Sequence, residues 1–324
     1  MAELGGRFLS RGRVLTAAPT MLAAGLLLVA PAFLDQYWMR ILTFALMFAA
    51  MAAALNITAG FIGYPAFGDV VWFGLGSVVT ATLMVKASWP FIAAVPVAVI
   101  ICTALAALVG PSLLRLRGHY FAIGTLALNE ATRALVQNLD VTGGGSGLAL
   151  PITTGSVEST ARFFYYLFFG AMALTVLVSL VITWTRVGYG LRSIRANEDA
   201  ADAAGVNTTL LKTFAWTLSA ALIGLAGAIY AYWISFIEPP AVFDIGISIK
   251  LFVIVLLGGV GTVFGPVIGA FGIQVLESQV WGNFSGYNLM ILGGIVMVIV
   301  LFLPQGVVAF ARSRARAVVV LVGR

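Results

Sequence analysis

Residues able to do chemistry are few in this chain, and the densest set sits in one apolar stretch, Phe121–Leu139. It carries Thr125, Asn129, Glu130, Arg133 and Gln137. Spacings of three and four put Thr125, Asn129, Arg133 and Gln137 on one face of a helix, with Glu130 beside it. Glu130 and Arg133 stand one turn apart and can pair. In hydrocarbon each ionised group costs roughly 2.5–3.5 kcal/mol on insertion scales. Two readings follow: the stripe lines a polar translocation pathway, or the pair staples helices together. The first is preferred, because intramembrane charges are functional by default.

Covalent chemistry lacks its parts. There is one histidine, His119, and one cysteine, Cys102, which reads as a small buried residue. None of the three lysines follows a glycine, so no phosphate-binding Gly-Lys-Ser/Thr occurs. Gly258-Gly259-Val260-Gly261 lacks the third glycine and the acidic partner of a dinucleotide fingerprint. No catalytic residue, metal site or cofactor is expected in this chain.

The elements that must position these residues are membrane helices. Of 324 residues, 61% are hydrophobic and only 9% charged, too few for the surface of a soluble monomer. An all-α polytopic membrane protein is therefore expected. Stretches of about 20 apolar residues suffice to cross a bilayer. Ten candidates appear: Ala17–Leu34, Ile41–Ala59, Val70–Val85, Phe91–Leu114, Phe121–Leu139, Phe163–Thr185, Thr213–Ile237, Ile247–Val260, Pro266–Val280 and Leu289–Leu303. With both termini cytoplasmic, 13 of the 18 Lys and Arg lie inside and three outside. The net charge of +6 thus marks topology and not nucleic-acid binding. Ala30-Pro31-Ala32 is a poor signal cleavage site, so the first span is expected to stay attached. The chain divides into a tail at 1–16, a membrane domain at 17–304 and a basic tail at 305–324. An outer loop spans 140–162 and an inner loop 186–212.

The inner loop is the most informative stretch. An alanine-rich helix with an acidic first turn, Glu198 to Asp202, stops at Gly205. A second short helix capped near Asn207 leads into the seventh span. Gly205 is expected to take a positive φ between them. Such a knob suits a partner's grip, or serves as an amphipathic connector. Gly261, Gly265 and Gly269, with Pro266 among them, form a small-residue ladder suited to close helix packing.

These residues carry a family resemblance. Leu191-Arg192-Ser193-Ile194-Arg195, then Asn197-Glu198 and Ala200 to Asn207, resemble the cytoplasmic EAA-type loop of ABC importer permeases. More narrowly, the chain resembles LivM-type permeases of branched-chain amino acid importers. Ser219 to Ala231, Gly258 to Ala270, Leu303-Pro304-Gln305-Gly306, Arg117 to Ala122, Thr125-Leu126-Ala127, Glu130 and Thr142-Gly143-Gly144 add to the match, from about Asn56 to Gln305. The resemblance implies an ABC importer permease fold in a bacterial inner membrane. It implies a second, LivH-like permease subunit and two ABC ATPase subunits that bind ATP and Mg. A periplasmic substrate-binding protein completes the set. It assigns Arg192, Arg195, Asn197, Glu198, Asp202, Gly205, Asn207 and Lys212 to the ATPase-coupling loop. Leucine, isoleucine and valine are the implied substrates.

One stretch departs from the family pattern. Phe73-Gly74-Leu75-Gly76 is present, but Gly63-Tyr64-Pro65-Ala66-Phe67-Gly68-Asp69 replaces the usual Ser-Leu-Gly element before it. This leaves urea, amides or other amino acids open as substrates. A proton-coupled carrier using Glu130 and a non-transporting scaffold are the alternatives outside the family.

Overall fold

The computed structural model describes residues 25–151, 155–283 and 293–294. The tails at 1–16 and 305–324, the first span's residues 17–24 and nearly all of the tenth span lie outside the described residues. Helix α1, Gln36–Asn56, runs on into a π-helical turn, Ile57–Ile62, that stops at Gly63 with φ +84°. It is followed by α2 (Val70–Lys86), α3 (Phe91–Leu113) and α4 (His119–Asn138). After a loop come α5 (Val157–Trp184), α6 (Arg186–Ala196), α7 (Glu198–Ala203) and α8 (Thr208–Ile234). The short α9 (Pro239–Val242), α10 (Ile245–Gly258) and α11 (Gly265–Asn283) complete the order. The stretches read as the second to ninth spans each centre on one helix, the second running on into the π-turn and the seventh past the end of α8 at Ile234. Five described segments are long and apolar enough to cross a membrane: Gln36–Ile62, Phe91–Leu113, Val157–Trp184, Thr208–Ile234 and Pro239–Gly258.

Burial sorts the helices into centre and periphery. Within its membrane window α1 is 89% buried inside the chain, and α3 only 22%. On α3 the inward stripe is Ala94, Ala98, Cys102, Ala106 and Gly110, all small and four apart. Its outward face carries Ile92, Ile100 and Leu108. Small residues at that spacing let two backbones approach, which is how helices gain dispersion energy in lipid. Cys102 packs against Gly224 of α8, as a small buried residue should.

Two features depart from the expected pattern. A two-residue antiparallel pair, β1 (Leu148–Ala149) with β2 (Phe236–Ile237), pins the outer loop to the chain after α8. The first half of the inner loop, ahead of the expected acidic helix, is the helix α6, with Gly188, Leu191 and Ile194 buried.

Candidate functional site

The inner loop folds into an elbow whose joints are local and readable. Asn197 closes α6 and caps α7, its side chain accepting from Ala200 N at 3.0 Å. Gly205 takes φ +85°, the left-handed conformation that a Cβ disfavours. Val206 N then donates to Ala201 O at 3.0 Å. Asn207 caps α8, accepting from Leu210 N at 3.0 Å. The expected second short helix is the first turn of α8 itself, one continuous 27-residue helix. Arg192 and Asp202 face outward, Arg192 stacking over Tyr189 at 6.0 Å.

A charge cluster seals the elbow to the bundle. Lys212, only 5% exposed, donates to Glu198 Oε1 at 2.6 Å, Leu114 O at 3.0 Å and Tyr64 Oη at 3.1 Å. Those three partners match the three donors of an ammonium group. Tyr64 Oη donates in turn to the other oxygen of Glu198. Arg117, on the rim, stands 3.6 Å from Glu198 and 3.0 Å from Asp199. Burial pushes the Glu198 carboxyl up. Hydrogen bonds from Lys212 and Tyr64, with the charges of Lys212 and Arg117, outweigh it and hold the group below the usual carboxylate range. Burial, and then the bond to Glu198, raise the Tyr64 hydroxyl.

A second anchor reaches deeper. Arg195 donates to Gly60 O in the π-helical turn, and its guanidinium fills the space a side chain at Gly261 would need. Asn56, at the end of α1, accepts from Gly261 N and donates to Thr262 O, both at 2.8 Å. Elbow, π-turn and the α10–α11 connection are thus hydrogen-bonded in series. π-turns recur at functional positions because they leave backbone groups off the regular ladder. Beyond that connection α10 and α11 touch backbone to backbone. A Cβ at Gly269 would land on Ile254 O, and one at Gly265 on Thr262 Oγ1. Pro266 lies buried at the start of α11.

On α4 the polar stripe divides. Thr125 and Asn129 are fully buried: Thr125 Oγ1 accepts from Gly68 N at 3.2 Å, and Asn129 Nδ2 donates to Phe243 O at 2.9 Å. Glu130 and Arg133 pair with each other at 2.6 Å, with side chains 42% and 37% exposed. Gln137 is half-buried. A further pair, Lys250 with Glu277, links α10 to α11, and Lys250 also reaches Gln274 at 3.3 Å. Sequence reasoning missed Tyr64 and Arg117 as members of the elbow cluster. In the sequence the Gly-Tyr-Pro stretch stands out only as a departure, and Arg117 only as an inside charge at the head of a family-like stretch. Lys212, included through the loop motif, proves to be the centre of the cluster.

Apolar helices packed through small residues, five of the described segments long enough to cross a bilayer, define a multi-pass membrane protein. The chain belongs to the family described as the branched-chain amino acid transport system / permease component, whose model matches residues 37–301. It is 28% identical to the high-affinity branched-chain amino acid transport system permease protein LivM of Salmonella typhimurium LT2, over 85% of this chain and 71% of that one. It is 27% identical to LivM of Escherichia coli K12, over 88% and 73%. A 140-residue stretch is 31% identical to the autoinducer 2 import system permease protein LsrC of Yersinia pestis, covering 38% of this chain and 39% of that one. No solved structure matches.

Proposed function

We propose that this chain is a permease subunit of an ATP-driven ABC importer for leucine, isoleucine and valine. The observation that carries the reading is the elbow's serial connection, through Arg195 and Asn56, to the π-turn and the α10–α11 connection. A push on α6–α7 from a partner has a hydrogen-bonded route into the membrane helices. Rigid-body rocking of packed helices is the expected response. The partners are a second, LivH-like permease subunit, two ATPase subunits that hold ATP and Mg, and a periplasmic binding protein. The chain crosses the bacterial inner membrane ten times with both termini inside, and 140–162 faces the periplasm. In this reading Arg192, Asp202 and the exposed side of Gly205 meet the ATPase. Arg195, Asn197, Glu198, Asn207 and Lys212 hold the elbow in shape. Thr125, Asn129, Glu130 and Arg133 lie along the translocation side of α4.

Reconstitution tests this. Vesicles holding this chain, the second permease and both ATPases are supplied with the binding protein. They should accumulate radiolabelled leucine only with ATP inside the compartment of the ATPases. Uptake by this chain alone under a pH gradient would favour the proton-coupled carrier and overturn the reading. Saturable nucleotide binding by this subunit alone would overturn its role as a passive partner. The departure at Tyr64, Pro65 and Asp69, and the match to a permease named for another cargo, support a second reading as an importer of a different small solute. Competition of labelled leucine by urea, amides and other amino acids decides between them.

A further inference from the structure

We propose that Asp69 and Asn129 form an intramembrane acceptor site for the ammonium group of the amino acid in transit. The proposal rests on the importer reading and adds a place where the substrate is recognised inside the permease. Asp69 is 1% exposed and Asn129 is fully buried. Each has one side-chain oxygen, Oδ1 in both, without a hydrogen-bond partner among the described residues. Buried polar atoms are almost always satisfied, so two such oxygens at one junction need a reason.

The junction is where the start of α2, the middle of α4 and the start of α10 meet. Gly68 N donates to Thr125 Oγ1, which puts Asp69 against α4 one turn from Asn129. Val70 N donates to Ser248 Oγ at 3.3 Å, which puts the same segment against α10. Asn129 reaches α10's approach through Phe243 O at 2.9 Å. That bond fixes the amide: turned over, its oxygen would face the Phe243 carbonyl, so the free atom is an acceptor.

Asp69 is likewise left over. It occupies the cap position of α2 but makes no cap hydrogen bond there. Its Oδ2 stands 3.5 Å from Thr58 Oγ1, whose one proton already goes to Leu55 O at 2.9 Å. No described ion pair includes it. What each of these two acceptors lacks is a donor, and the proposed site supplies one cationic donor for them. A primary ammonium, with three N–H donors, has that chemistry; urea and simple amides do not carry the charge.

The test uses the full importer in vesicles with its binding protein. Asp69→Asn keeps the shape and replaces the carboxyl with an amide that cannot ionise. Leucine moved per ATP hydrolysed should fall about tenfold or more, as expected for losing a hydrogen bond to a charged group. The melting temperature of the complex should stay within a few degrees of wild type, and Asp69→Glu should recover part of the ratio. Asn129→Leu should lower the ratio less. In wild-type complex, dicyclohexylcarbodiimide labelling of Asp69, read by peptide mass spectrometry, should slow when leucine-loaded binding protein and ATP are added. This second measurement holds even if the variants fail to assemble. A normal ratio in Asp69→Asn, or labelling indifferent to leucine, makes Asp69 a neutral structural acid and overturns the site alone. A wild-type complex that hydrolyses ATP but moves no branched-chain amino acid overturns the importer reading and the site with it.

Discussion

The Lys212–Glu198 and Arg133–Glu130 pairs have the same separation, 2.6 Å, and opposite settings. The first pair's side chains are 6% and 15% exposed, and it joins α7 to α8, with Tyr64 and the Leu114 carbonyl as further partners. The second lies within one helix, three residues apart, with 37% and 42% of its side chains open. Distance alone therefore says little about what an ion pair does. Burial and the number of other partners decide it. Removing one member of a buried pair strands the other without solvent, whereas an exposed pair in water is worth about 0–1 kcal/mol. The elbow pair holds tertiary structure together. The α4 pair leaves the fold of the single chain nearly untouched and acts on whatever covers that face.

The largest effect should come from Lys212→Met. The methionine fills similar space but leaves Glu198, Tyr64 and Leu114 O without their shared donor. Breaking a buried pair in this way costs about 3–5 kcal/mol. Melting of the detergent-purified complex should drop sharply, and stimulated ATPase activity should fall with it. A variant that melts like wild type would erase the contrast between the two pairs.

Gly205→Val comes next. Its φ is +85° and nothing stands within 4 Å of where a Cβ would be, so the cost is conformational strain and not a clash. A left-handed residue with a Cβ costs roughly 1–2 kcal/mol, and β-branching adds to it. The helices should still insert and pack, while α8's first turn shifts against α7. Co-purification with the ATPase subunits and substrate-stimulated hydrolysis should both weaken. Normal coupling in this variant would reduce the elbow to a connector.

Acid should act on the elbow through Glu198. Its folded pKa is depressed, so its stabilising contribution is complete above the unfolded carboxylate value near about 4.3. The contribution is lost as pH falls through the lower folded value. Wild type should therefore melt higher than Glu198→Gln by a constant margin near neutral pH, and the margin should close only below about pH 4.3. A margin that closed between pH 6 and 8 would mean another group titrates there.

The helices and the elbow's joints were legible for local reasons. Hydropathy marks the apolar stretches, and Asn197, Gly205 and Asn207 announce caps and a left-handed stop within a few residues of where they act. α6 was hidden because Gly188 and Gly190 break its pattern and its apolar face is only Val187, Leu191 and Ile194 with their neighbours. The π-turn at Ile57–Ile62 was hidden because it is as apolar as the helix it extends. Tyr64 and Glu198 lie 134 residues apart, and only the folded chain brings them together. The α4 stripe shows the same limit from the other side. Helical periodicity put Thr125, Asn129, Arg133 and Gln137 on one face. It could not tell that Gly68 and Phe243 engage the first two while the Glu130–Arg133 pair stays half-open.

The smallest effect on the chain itself should come from the double substitution Glu130→Ala, Arg133→Ala. The pair needs no other part of the chain, and local i,i+3 pairs contribute only about 0.2–0.5 kcal/mol to a helix. Melting of this subunit should move by no more than a few degrees. In the proposed ten-span reading α4 crosses the membrane, where an open charged pair against lipid tails would cost several kcal/mol. That face must then meet protein or water, and the second permease subunit is the nearest candidate. A cysteine at position 130 should cross-link to that subunit and resist a lipid-soluble maleimide. Transport should fall in the double variant although the fold survives. Free reaction with the lipid-soluble reagent, together with unchanged transport, would make the pair a spectator and leave Lys212–Glu198 as the pair of the two with work to do.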